Sequence, residues 1–254
     1  MSSPSPLDVL RGAQRPGSAA VTRPRMLLAG ATGPLGNEVL NRVVGGQRYA
    51  LVQVLARERY TEGLRGMQLL PQIGDDALQW PLQTAEVGLI MFEPPRPFYQ
   101  RERALWTPQP AQLQAVAQWM RACGVQTLAV VLPHDMGSLP QSIRQGLANV
   151  DEQQVAALGF ERLILVRSAR EPARLSAGNV LHRTAKTLLS ALSYMVPQSD
   201  RPVRAMHVAK LVEAALLHAP PGIHVAAPER VWRAAQKDGL QAELQDWLRA
   251  HHEP

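Results

Sequence analysis

From Met26 onward the chain alternates between short continuous apolar runs and segments in which apolar residues recur every three or four positions. A continuous run of strand length suits a strand buried on both faces, and the wider spacing suits one face of a helix. Residues 26–29, 50–55, 87–92, 125–132 and 163–166 read as strands. Between them, Leu35, Val39, Leu40, Val43 and Val44 share a helical face that Gly45 and Gly46 should end. A second helix over about 111–123 stops at Gly124, and 155–158 lie on a third. Met67 to Leu70 fit a short strand, but Pro71, Gly74 and Pro81 break the surrounding pattern and leave 60–82 without a firm assignment. After Ser168 helical spacing takes over, through Val180, Leu181, Leu188, Leu189, Leu192 and Met195 and again over 208–217. A short strand at 223–226 then precedes helices around Val231 and Leu244.

Strands alternating with helices predict βαβ units and an α/β fold with a mostly parallel, doubly wound sheet. A chain of 254 residues is consistent with one domain from residue 25 to 254. Within it, 171–254 reads as a smaller, mostly helical lobe on the substrate side. Residues 1–24 are rich in Ser, Pro, Gly and Arg and have no apolar segment like that of a secretory signal, so they read as a disordered tail. Pro4, Pro6 and Pro16 would interrupt an amphipathic transit helix there.

Charge and cysteine content narrow the setting. The net charge of +6 raises an acidic partner. The basic residues are nearly all Arg, with lysine only at 186, 210 and 237, and they are interspersed with acids. That distribution describes a solvated surface better than a nucleic-acid face. No apolar stretch approaches the ~18 residues of a membrane span. The single cysteine, Cys123, excludes an internal disulfide and a multi-thiolate metal site, and points to a reducing, cytoplasmic setting. The histidines other than His134 show no metal-ligand spacing with acids or Cys.

The sharpest motif is Leu28-Ala29-Gly30-Ala31-Thr32-Gly33-Pro34-Leu35-Gly36, set between an apolar strand and an amphipathic helix. Glycines at this spacing permit a tight turn, close approach of backbone to a pyrophosphate, and packing of helix on sheet; the helix amides and dipole then face the anion. Pro34 suits a first helical turn, where no N–H is needed. The pattern predicts a Rossmann-type dinucleotide site formed by Gly30, Thr32, Gly33, Pro34, Leu35 and Gly36. It requires these residues to lie between a central strand and a helix mouth that is not plugged by protein. The second strand ends Val54-Leu55-Ala56-Arg57-Glu58-Arg59. An acid at its tip would take the ribose hydroxyl of NAD, whereas Arg57 there favours the 2′-phosphate of NADP(H). If Glu58 is the residue that turns inward, NAD(H) is the alternative.

The Gly30, Gly33, Gly36 spacing resembles the signature of the atypical short-chain dehydrogenase/reductase family, in particular the NAD(P)H-binding oxidoreductase-like proteins related to the Tat-interacting tumour suppressor. Residues 118–132, the stretch Leu158-Gly159-Phe160-Glu161-Arg162-Leu163 with Arg167, and Arg201-Pro202-Val203 with Val208-Ala209 extend the likeness over about 25–235. Ser168 stands where the family has Pro. The resemblance implies a Tyr-x-x-x-Lys pair and an upstream Ser, the Lys lowering the Tyr pKa for proton exchange. Here Tyr49, Tyr60, Tyr99 and Tyr194 are followed four residues later by Gln53, Leu64, Arg103 and Gln198. The family's Tyr and Lys positions fall near Arg144 and Ala148, and its Ser near Pro133 or His134. The usual relay is therefore missing, and the expectation is a non-catalytic NADP(H)-binding or sensing protein that signals to a protein partner or a second copy of itself. An alternative is an NADP-dependent reductase of carbonyl substrates whose proton donor is His134, with Asp135 beside it at the end of a strand. A third reading binds no nucleotide, because Glu93 places an acid on the expected cofactor path where the family has a small residue.

Overall fold

The computed structural model describes residues 23–58, 65–72, 74, 76–96, 98–134, 150–169, 203–236 and 239–249. The expected tail lies outside these residues except for Arg23 and Pro24, as do Asp135 and the helix expected around 180–195.

Strand β1 (Arg25–Ala29) leads into helix α1 (Gly33–Gly45), then β2 (Leu51–Ala56) and β3 (Met67–Pro71). β4 (Val87–Met91) precedes a short helix α2 (Gln100–Ala104), followed by α3 (Leu113–Ala122) and β5 (Thr127–His134). Next come α4 (Val150–Ala157), β6 (Arg162–Ala169), α5 (Ala205–His218), β7 (Gly222–Ala226), α6 (Pro228–Ala234) and α7 (Gly239–Arg249). The strands form one seven-stranded sheet in the order β3-β2-β1-β4-β5-β6-β7, and every pairing is parallel. This is a Rossmann-type α/β fold. Met26 lies opposite Val52 on one side and Val87 on the other, so the chain reverses its direction of travel across the sheet at β1. In such sheets the carboxyl ends at that reversal border the ligand crevice.

Successive strand residues face opposite sides. Met26, Leu28, Val52, Val54 and Leu89 join Val39, Leu40 and Val43 of α1 and Val208, Leu211 and Val212 of α5 in one buried cluster. Leu27, Ala29, Leu55, Ile90 and Leu128 join Val116, Ala117 and Met120 of α3 in the other. Helices cover both faces, which is why the strands read as continuous apolar runs instead of alternating ones. The second cluster is closed by perpendicular contacts of Trp80 with Trp106 and Trp119, at 4.9 and 5.3 Å between ring centres. The ambiguous 67–70 segment is an edge strand, where Pro71 removes a donor that no further strand needs. The end of α1 differs in detail from expectation: Gly45 is still helical, Gly46 keeps a right-handed φ of −70°, and Gln47 takes the left-handed turn at φ 48°. The described part of 171–254 supplies the seventh strand, and α5 shares the core that covers α1.

Candidate functional site

The glycine turn sits between β1, a central strand, and the mouth of α1. Gly30 and Gly33 have φ of 79° and 69°, a left-handed backbone that side chains disfavour. A Cβ on Gly30 would run into the Met91 carbonyl, and one on Gly36 would lie 2.5 Å from the Ala31 carbonyl carbon. Two glycines thus make the bend and the third lets the helix pack against it. Thr32 precedes the helix in extended conformation, but its buried hydroxyl does not cap. It donates to the Glu93 carbonyl at 2.5 Å, which leaves it an acceptor for the Thr107 hydroxyl at 2.7 Å. Pro34 stands in the first turn as expected.

The mouth of α1 is not open as the motif requires: the amides it would offer to an anion already hold carboxylates of the chain itself. Gly33 N–H donates to Glu102 Oε2 at 3.0 Å, and Leu35 N–H donates to Glu93 Oε2 at 2.6 Å. Gly36 N–H turns back to the Thr32 carbonyl at 3.1 Å. A Cβ on Gly33 would sit 2.5 Å from Glu93 Cδ, so this glycine is what admits the carboxylate. Glu102 is further held by Arg96, whose backbone N–H and Nε donate to it at 2.9 and 2.7 Å, with Nη2 adding a third bond. The Arg96 guanidinium also lies 3.7 Å above the Tyr99 ring. Burial pushes the Glu93 carboxyl above its ordinary range, the Leu35 amide pulls it back, and the negative charge of Glu102 raises it again. Burial acts in the same direction on Glu102, but the Arg96 hydrogen bonds and the amides outweigh it and hold that carboxyl below its ordinary range.

The segment carrying these acids crosses the carboxyl ends of β1 and β2. Leu105 bridges Ala56 in antiparallel fashion, Trp106 N–H donates to the Leu55 carbonyl at 3.0 Å, and Gly30 N–H donates to the Trp106 carbonyl at 3.1 Å. At the tip of β2, Arg57 N–H donates to the Ala104 carbonyl at 2.8 Å. The side chains of both Arg57 and Glu58 are exposed, so neither turns inward. His134 is the last residue of β5, on the same edge of the sheet; its side chain and Asp135 are outside the described residues. Glu102, Arg96 and Thr107 had no signal in the sequence, whereas Glu93 was visible as an acid directly after a strand.

Other reactive groups stand apart from this site. Cys123 is buried, its Sγ accepts from Gln83 N–H at 3.3 Å, and burial pushes its pKa up, which makes it a poor nucleophile near neutral pH. Burial likewise pushes the Tyr49 phenol up to about 12, out of reach of a proton relay. Among the described residues no group of three or more His, Cys, Asp or Glu could hold a metal, and no helix is long and apolar enough to cross a membrane.

No protein-family model and no curated protein matches the sequence. Solved structures do. The chain is similar to the PhqB reductase domain from Penicillium fellutanum, at 18% identity over 87% of this chain and 71% of that one, with a TM-score of 0.46. It is also similar to the Bordetella bronchiseptica enzyme WbmH in complex with NAD+, at 10% identity over 82% and 79% of the two chains and a TM-score of 0.42. A third likeness is to MoeE5 in complex with UDP-glucuronic acid and NAD, at 12% identity over 78% and 74% and a TM-score of 0.44. Likenesses this distant leave the fold resting on the strand order and register above.

Proposed function

We propose that this protein binds NADP(H) at the mouth of α1 and holds it as a ligand without turning it over, passing its occupancy on to a protein partner or a second copy of the chain. One observation carries the reading: a turn that needs glycine at three positions hangs on a central strand at the reversal of the sheet and leads straight into the first turn of α1. A diphosphate would reach the Gly33 and Leu35 amides only in place of Glu102 and Glu93, which hold them in this structure. Gly30, Thr32, Gly33, Pro34, Leu35 and Gly36 would then shape the cradle, and exposed Arg57 at the tip of β2 would meet the 2′-phosphate. A bound nicotinamide supplies hydride chemistry, but Tyr-x-x-x-Lys is missing from the chain and Tyr49 is held protonated.

The occupied amides favour a second reading, a scaffold that takes no nucleotide. Native mass spectrometry of freshly purified protein, followed by a fluorescence titration with NADPH, separates the two. The expected result is a saturable NADPH complex with no NADPH consumption over a panel of carbonyl compounds. Absence of binding overturns the reading in favour of the scaffold, and consumption that His134→Ala removes overturns its non-catalytic part.

A further inference from the structure

We infer that a second ligand site, separate from the α1 mouth, lies among the C-terminal helices and takes a small organic carboxylate, with Lys210 holding its charge and Ala234 and Leu240 its apolar body. The sequence sets His207 and Lys210 about one turn apart, so they share an edge of α5. The buried stripe of that helix, Val208, Leu211, Val212 and Ala215, belongs to the core it shares with α1 and the sheet, and Glu213 leans toward α1 through Arg42 at 3.2 Å. The edge with His207 and Lys210 faces the turn between α6 and α7 across a cavity of about 620 Å³. Hollows of that volume are the usual size for sites that take a small molecule. Ala234, Gln236, Leu240 and Gln241 form the facing wall.

Charge decides what fits. Among the described residues no carboxylate lines the cavity. The acids of α5 and α7 are engaged elsewhere, Glu213 with Arg42, Glu243 with Arg230 and Arg233, and Asp246 with Arg230, while Glu229 stands at the other end of α6 from Ala234. Lys210 is half-buried and makes no ion pair among the described residues. Its ammonium is a point charge with three donors on a flexible stem, and His207 offers a ring nitrogen beside it. Two such groups match the two oxygens of a carboxylate, whereas a phosphate calls for an arginine fork or a ring of amides. Opposite them, buried Ala234 and half-buried Leu240 give a short hydrocarbon body its contact. Gln236 donates one amide hydrogen to the Trp232 carbonyl at 3.1 Å and keeps its own carbonyl as an acceptor for a ligand hydroxyl or N–H. The fold itself holds this wall. Arg230 and Arg233 clamp α6 to α7, and a Cβ on Gly239 would lie 2.2 Å from the Arg233 carbonyl oxygen, so glycine is what lets the two helices turn so tightly.

The test uses the full chain and the probes hexanoate, hexylammonium and inorganic phosphate, titrated by nuclear magnetic resonance into wild type, Lys210→Met and Lys210→Gln, with thermal melts to confirm folding. Hexanoate should shift the Leu240 and Gln241 amides in a saturable way, and hexylammonium should leave them in place. Lys210→Met keeps the length of the stem and should weaken hexanoate by about tenfold. Lys210→Gln should do the same, and it secures the comparison if the methionine variant folds poorly. Inorganic phosphate, which has no apolar body, should bind more weakly than hexanoate. The inference is overturned by hexanoate that shifts neither amide, by hexylammonium or phosphate that binds as tightly as hexanoate, or by a hexanoate affinity that survives the loss of Lys210. Each of these outcomes leaves the dinucleotide reading of the α1 mouth to its own titration.

Discussion

Two arginine–glutamate pairs in this molecule share their chemistry and a buried glutamate, and differ in how far the arginine meets solvent. Arg167 of β6 meets Glu152 of α4 through bonds of 2.6 and 3.2 Å, with only 3% and 2% of the two side chains exposed. Arg96 meets Glu102 on a segment between β4 and α3, with 31% of Arg96 but only 6% of Glu102 exposed. The first pair ties a strand to a helix of the framework, where neither charge can be left alone. The second lies at the rim of the crevice, and its glutamate has another task, holding the Gly33 amide. Burial on both sides makes an ion pair a fixture. One wet partner leaves the second pair only half-enclosed.

The largest expected effect falls on the fixture. Glu152→Ala should take a buried carboxylate away from Arg167 and lower stability, by up to about 3–5 kcal/mol, read by denaturant unfolding. A loss no greater than that of Glu102→Ala would erase the contrast. Gly33→Asp should abolish NADPH binding, because a side chain at φ 69° collides with Glu93 and adds charge at the mouth; fluorescence titration checks it, with a thermal melt to confirm folding, and retained binding would place the ligand elsewhere. Arg57→Ala should weaken NADPH by about tenfold through loss of a charge-assisted contact and leave NADH nearly unchanged. Equal losses for the two would remove the case for 2′-phosphate recognition.

The smallest effect is a pH dependence. Glu93 faces the Leu35 and Gly36 amides, Glu102 and Arg96, and its carboxyl titrates above the ordinary range. As pH falls from neutral it takes up a proton before an ordinary carboxyl does, which weakens its hold on Leu35 and relieves repulsion of an incoming diphosphate. NADPH affinity should therefore rise, by roughly a few-fold, and Glu93→Gln should flatten the slope. The stability sign follows from the same shift. In the window between its unfolded and folded pKa, Glu93 is protonated folded and ionised unfolded, so its contribution to stability declines as pH rises through that window. An affinity that falls toward acid pH would contradict the role given to Glu93.

The parts of this molecule that were legible in the sequence are those whose causes are local. The glycine bend, Pro34 in the first turn and the apolar stripe of α1 all act within a few residues. The strands declared themselves because burial on both faces leaves a continuous apolar run. The closure of the mouth was not legible, since Leu35–Glu93, Gly33–Glu102 and Thr32–Thr107 join residues 58, 69 and 75 positions apart. The segment from Glu93 to Thr107 has no hydrophobic period, and nothing in its spacing brings Arg96 to Glu102. The end of α1 escaped for a smaller reason: two adjacent glycines offered the left-handed turn, and Gln47 took it.

The claim that the α1 mouth is an anion site filled by the chain itself is tested most directly by following the Gly33 and Leu35 amide protons by nuclear magnetic resonance while NADPH is added. Both resonances should shift in a saturable way, at the same NADPH concentrations that quench protein fluorescence. Fluorescence that saturates while both amides stay where they were would show that the nucleotide binds somewhere else and that Glu93 and Glu102 never leave.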